Sequence, residues 1–164
     1  MNERDLLQAG FRYALSLRPA PGEADDLVQE AWLRLHRARG RVRDQALLFR
    51  AIRNLFIDHY RRERLVVFEP LDSVAETADG APLLDDRVTL DDLKAPLESL
   101  RSEEREALFL NVVEGYTAQE IADLTERPRG TVLSLIHRAK RKLREALTSE
   151  SDDTPLIEPG MLRR

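Results

Sequence analysis

Apolar residues recur at helical spacing in two blocks of this chain, and between them some thirty residues lose that periodicity and turn acidic. Val66 to Ala95 carries 8 acidic and 2 basic residues together with Pro70, Gly80 and Pro82. A segment of this composition gains too little from burial to offset its ordering entropy, so it reads as a linker over residues 66–95. The chain is therefore constrained to two small cores rather than one large one. Its 164 residues at 42% apolar content suffice for helical bundles of that size.

In the first block, Leu7, Gly10, Phe11, Ala14 and Leu17 fall at helical spacing, and Pro19, Pro21 and Gly22 then break the chain. A second helix is predicted from Glu23 to about Ala38, with Ala24, Leu27, Val28, Ala31 and Leu35 on one stripe and Gly40 after its end. A third runs from Asp44, a suitable N-cap, to about Arg64, with Leu48, Ile52, Leu55 and Phe56 inward. In the second block, Leu97, Leu100, Ala107, Leu108, Leu110 and Val112 predict helices on either side of Arg101 and Ser102, closed by Gly115. Thr117 and Glu120 then form a capping box, a short helix reaches Leu124, and a turn at Thr125 to Arg127 leads to Pro128. Val132, Ile136, Ala139 and Leu143 supply the buried face of the helix that follows. Short helix, tight turn and basic second helix spell helix-turn-helix. The expected fold is all-α: two small bundles over residues 1–65 and 96–147, a flexible acidic linker between them, and a disordered tail over 148–164.

Charge is distributed to match. Residues 1–65 hold 13 basic and 9 acidic side chains, and the 7 basic residues from Arg127 to Arg144 have no acid among them before Glu145, although the whole chain is at −4. Two local cationic surfaces can each grip a nucleic-acid backbone, because charge beyond a Debye length of about 8–10 Å is largely screened. The overall sign argues against a freestanding DNA binder. With no cysteine, and with His36, His59 and His137 scattered at no ligand spacing, no metal, cofactor or nucleophile–base pair is expected and the chain is not read as an enzyme. No apolar run approaches the ~18 residues that span a bilayer, and Met1 to Asp5 is no signal peptide, so a soluble cytoplasmic protein without membrane insertion is expected.

Three faces stand out. Asp26, Gln29, Glu30 and Leu33 lie opposite the apolar stripe of the second helix: either an ordinary solvated face or, given the leucine among carboxylates, a site for a basic, partly apolar partner. Arg50, Asn54, Asp58 and Arg61 line the third helix with Arg53 and Arg62 beside them, either as an i,i+4 ion-pair network or as a DNA contact. On the last helix Gly130, Ser134, His137, Arg138 and Arg141 lie off the apolar stripe. Arg129 and Thr131 are placed to approach base edges while Arg138 and Arg141 hold phosphates, the plainer alternative being a solvated basic helix.

These segments resemble the extracytoplasmic-function (group IV) sigma factors of bacterial RNA polymerase. Ala24 to Leu35, ADDLVQEAWLRL, resembles their polymerase-binding segment, and Leu48 to Arg62, LFRAIRNLFIDHYRR, their helix for the minus-ten element. Glu114 to Arg144, EGYTAQEIADLTERPRGTVLSLIHRAKRKLR, resembles their helix-turn-helix for the minus-thirty-five element. The resemblance implies that Asp26, Gln29, Glu30 and Leu33 bind the clamp helices of core RNA polymerase. It assigns Asn54, Asp58, Arg61 and Arg62 to minus-ten DNA, including capture of an unstacked base, which costs a few kcal/mol to extrude, and Arg50 and Arg53 on the same helix are counted with them. It assigns Thr117, Arg129, Gly130, Thr131, Ser134, His137, Arg138 and Arg141 to minus-thirty-five DNA. Core RNA polymerase, promoter DNA and an anti-sigma protein are the implied partners, and the acidic linker would mimic RNA phosphates in the polymerase channels. Extended, it would reach roughly 100 Å at ~3.3 Å per residue, which bridges two or more turns of DNA at about 34–36 Å each.

Two positions depart from the family pattern: many relatives carry basic residues where this chain has Leu133 and Leu135. Leu135 is expected to join the core and Leu133 to be exposed. Beside a sigma factor that initiates transcription, two alternatives follow from the same residues. One is a sigma-like decoy that occupies an anti-sigma protein without initiating, and the other a conventional repressor or activator that binds DNA through its second unit alone, which leaves the first unit unexplained.

Overall fold

The computed structural model describes residues 1–63 and 90–151. Most of the predicted linker, and residues 152–164 of the predicted tail, lie outside the described residues.

The first bundle consists of α1 (Glu3–Ser16), α2 (Glu23–Arg39) and α3 (Gln45–Glu63). Asn2 caps α1 in a reciprocal box with Asp5, and the Asp44 carboxylate accepts from the amides of Ala46 and Leu47 at 2.9 and 3.3 Å, as an N-cap should. Stripe assignments hold for α2, where Ala24, Leu27, Val28 and Ala31 are buried. On α1, Gly10, Ala14 and Leu17 of the predicted stripe are buried, Leu6, Ala9 and Tyr13 join them, and Phe11 is exposed. Gly10 has no side chain, and α3 comes so close there that an added Cβ would sit 3.0 Å from Leu48 and 3.2 Å from Ile52. On α3, Phe49 and Arg53 are buried along with Leu48, Ile52 and Leu55.

The second bundle consists of α4 (Leu90–Ser99), α5 (Ser102–Leu108), α6 (Ala118–Thr125) and α7 (Arg129–Ser151), with a π-helical turn at Phe109–Val113 between α5 and α6. Two predicted limits shift: α4 begins inside the span expected as linker, and α7 runs four residues past Leu147 into the span expected as tail. The π turn adds one residue to the helical repeat, so Leu110 is buried while Val112, predicted inward, is 47% exposed. The Arg105 guanidinium donates to the carbonyls of Leu97 and Leu100 and closes the α4–α5 corner.

The two bundles share one core, which the sequence does not announce. Tyr13 stacks on Phe49 at 4.5 Å within the first bundle, and Phe109 and Tyr116 of the second complete the seam at 6.3 Å from Tyr13 and 6.2 Å from Phe49. Beside this seam the Glu106 carboxylate of α5 is buried between the bundles. It accepts from the Tyr13 hydroxyl at 2.7 Å, from Arg53 Nε at 2.9 Å, and from the Arg127 guanidinium at 3.0 Å. Around it Gln45 and Arg12 of the first bundle reach Glu114, at 2.7 and 3.5 Å. Two guanidiniums offset the desolvation of one carboxylate, without which its burial would be prohibitive.

Two predictions follow from this packing. Replacement Gly10→Leu should lower the urea-unfolding stability by about 1–3 kcal/mol, because the contact of α1 with α3 has no space for it. Burial and the neighbouring Glu106 charge hold the Tyr13 hydroxyl well above its ordinary value of 10.0. The folded chain thus keeps a proton that the unfolded chain releases, and the stability so contributed is full below about pH 10 and lost above it. Tyr13→Phe should cost about 1–3 kcal/mol at neutral pH and make the alkaline fall in stability shallower.

Candidate polymerase and promoter interfaces

The helix α2 presents Asp26, Gln29, Glu30 and Leu33 on its solvent side, opposite the buried Ala24–Val28–Ala31 stripe. Its first turn is acidic, with Glu23, Asp25 and Asp26 complementing the helix dipole. Glu30 is paired along the helix with Arg34, while Leu33 stands 51% exposed beside Trp32, whose ring lies over His36. The face is therefore acidic with an apolar centre, and neither bundle covers it.

On α3 the predicted DNA residues divide into two sets. Asn54, Asp58, Arg61 and Arg62 are exposed at its carboxy-terminal half. Arg50 is also exposed, although it donates to the Asp123 carbonyl at 2.8 Å, whereas Arg53, expected on that same outward surface, is 8% exposed against Glu106. Arg53 lies on the side of α3 that meets the second bundle, where α3 packs on α6 and the Glu106 carboxylate of α5 is within reach. His59 reaches back to Glu23 at 3.0 Å and ties α3 to the start of α2.

The helix-turn-helix is built as its residues predict. Thr117 and Glu120 cap α6 reciprocally, at 3.2 Å from the Glu120 amide to the Thr117 hydroxyl and 2.7 Å from the Thr117 amide to the carboxylate. Those bonds hold the exposed Glu120 carboxyl below its ordinary value. Glu126 ends α6 in a left-handed conformation, φ 56°, and the Pro128 carbonyl accepts from Val132 at 3.1 Å as α7 begins. Arg129, Gly130 and Arg141 are exposed, and Thr131, Ser134, His137 and Arg138 are half-buried on the rim of α7. Leu135 is 1% exposed, a core residue as expected, whereas Leu133, expected outside, is half-buried.

Not every cation of the basic segment faces outward. Arg127 is directed at Glu106, and Lys142 holds the buried Glu104 at 2.7 Å. Reasoning from sequence missed Glu104 and Glu106 altogether. Their one signal was the placing of two carboxylates beside Ala107 and Leu108 on a helix too short to show a period.

Among the described residues no helix is long and apolar enough to cross a membrane. Residues 4–66 match the family Sigma-70 region 2, and residues 90–143 match Sigma-70, region 4. The ECF RNA polymerase sigma factor EcfG of Rhodopseudomonas palustris is 33% identical over 135 residues, 80% of this chain and 75% of that protein. The ECF RNA polymerase sigma factor SigE of Mycolicibacterium smegmatis is 34% identical, over 88% of this chain and 59% of its own length. The probable ECF RNA polymerase sigma factor SigI of Mycobacterium tuberculosis is also 34% identical, over 87% of this chain and 51% of its own length. The chain thus spans between half and three quarters of these relatives. In three dimensions it is similar to the sigma factor RpoE of Bartonella quintana, solved with the anti-sigma factor NepR, at a TM-score of 0.66 and 25% identity over 88% of this chain and 93% of that one. Two ordered sigma regions on an all-helical frame, with relatives of this identity and coverage, place the chain in the family of ECF RNA polymerase sigma factors.

Proposed function

We propose that this sigma factor binds core RNA polymerase through α2, reads promoter DNA with both bundles, and thereby starts transcription at its own set of promoters. The observation that carries the proposal is the ordered succession of region 2 and region 4 matches on one chain, each with an outward face of the chemistry its role needs. Asp26, Gln29, Glu30 and Leu33 offer acids around an apolar centre to the clamp helices of the core enzyme. Residues 1–65 engage the minus-ten element, where Asn54, Asp58, Arg61 and Arg62 contact the opened strand. Residues 96–147 engage the minus-thirty-five element with Thr117, Arg129, Gly130, Thr131, Ser134, His137, Arg138 and Arg141. Residues 66–95 connect the two and pass through the polymerase. It contributes no catalytic group of its own, works in the cytoplasm where the polymerase is, and is held in check by an anti-sigma protein.

The decoy reading loses part of its ground. It rested on Leu133 and Leu135 as departures from a basic pattern, and Leu135 is fully used in packing α7. A leucine that the fold requires says nothing against DNA binding.

Reversing the α2 charges, Asp26→Arg with Glu30→Arg, should reduce affinity for purified core polymerase at least about tenfold in a pull-down, with the helical circular dichroism unchanged. Undiminished binding would remove α2 from the interface. Arg138→Ala with Arg141→Ala should weaken promoter binding and lower the slope of log K against log salt by about 2, since each phosphate contact contributes about 0.9. An unaltered slope would show that α7 does not hold phosphates.

A further inference from the structure

The inner side of α7 is complete without Leu133. Val132, Leu135 and Ile136 are 0, 1 and 8% exposed, and half-buried apolar side chains such as Ala118 and Leu97 pack against the cores of this bundle. Leu133 is half-buried too, yet among the described residues it is not one of those that pack on either core. It follows Val132 directly and so stands about 100° round the helix from the buried stripe.

Its neighbours along the helix are of another kind. Arg129 lies four residues before it and His137 four after, so the three form one ridge, which Arg141 continues. Arg129 and Arg141 are exposed at the two ends of that ridge, and beside Arg129 a Cβ on Gly130 would meet nothing within 4 Å. The opposite flank, half a turn round the helix, is engaged: there Lys142 holds the buried Glu104 at 2.7 Å. The Leu133 ridge therefore belongs to the open side of a helix that follows a capped α6 and a tight turn, and it lies in the amino-terminal half, where such a helix approaches base edges. An apolar side chain that the core does not use is thus set in a row of cations.

We propose that Leu133 selects a thymine in the minus-thirty-five element by covering its 5-methyl group in the major groove. The proposal rests on the reading of α7 as a promoter-recognition helix and adds the base that one of its residues chooses. Of the four bases, thymine presents an apolar group on its major-groove edge, whereas guanine, adenine and cytosine present only donors and acceptors there. A leucine seated on those polar edges strips water from them and returns no hydrogen bond, which penalises the wrong pair as well as favouring the right one. Arg129 and Arg141 on the same ridge supply the attraction to phosphate that brings the leucine to the groove. Where many relatives carry a cation, this chain exchanges one charge contact for one apolar contact, so its preference at that base pair becomes stronger and less dependent on salt.

The test uses the full-length chain assembled with purified core polymerase, which selects upstream elements from a randomised promoter library. The selected elements should share a thymine. Replacing it by deoxyuridine, which lacks only the methyl group, should weaken binding about fourfold, the contribution of one buried methyl. Cytosine at that place should weaken binding further, and 5-methylcytosine should recover part of the loss. Leu133→Ala should bind the thymine and deoxyuridine promoters alike. Leu133→Lys serves as a second variant, because its long side chain can carry the charge out to solvent without disturbing the helix. It should lose the methyl preference in the same way and steepen the slope of log K against log salt by about 0.9. Selected elements without a shared thymine, equal binding of thymine and deoxyuridine by the unaltered chain, or a methyl effect that survives both variants would overturn the role of Leu133 and leave promoter binding standing. A holoenzyme that enriches no upstream sequence at all would overturn the promoter reading itself, and the proposal with it.

Discussion

A carboxylate buried between two helical bundles dictates much of this structure. Glu106 takes hydrogen bonds from Tyr13 on α1, Arg53 on α3 and Arg127 in the turn of the helix-turn-helix. None of the charged groups could be buried alone, since an unpaired ion in such a place would cost several kcal/mol. Each therefore fixes where the others lie, and through them three segments far apart in sequence. The aromatic seam of Tyr13, Phe49, Phe109 and Tyr116 supplies apolar burial beside it, but stacking of rings tolerates sliding that a three-way hydrogen-bonded cluster does not.

That cluster uses the chemistry that DNA binding also needs. Arginines on α3 and at the head of α7 are cations with planar donors, suited to carboxylate and phosphate alike. In this chain they are divided: Arg61, Arg62 and Arg141 face solvent, whereas Arg53 and Arg127 face Glu106, and Lys142 faces Glu104. The acidic face of α2 takes no part in this division.

How far the sequence could lead depended on the range of the interactions concerned. The Thr117–Glu120 cap, the Asp44 cap, the Pro128 start of α7 and the α2 stripe are all set within four or five residues, and each was legible. On α1 the spacing found Gly10, Ala14 and Leu17 but took Phe11 for Leu6, Ala9 and Tyr13, since which flank of the stripe is covered depends on where α3 packs. Val112 was misread because a π turn interrupts the period that placed it inside. The contact between bundles was not legible at all: Glu106 and Arg53 are 53 positions apart, and a charged residue in a short helix reads as solvated until its partners are known. For the same reason helical spacing alone set Arg53 on the outward face, where the structure buries it.

The central claim is that the two bundles behave as one body in the free protein. Trp32 is the chain's one tryptophan and lies in the first bundle, so its fluorescence follows that bundle, while helical circular dichroism follows both. Urea unfolding recorded by the two probes should give coincident transitions with a shared midpoint, as for a single cooperative unit. A dichroism curve with a second step that the Trp32 signal lacks would show that the bundles fold and melt independently, and would contradict the account.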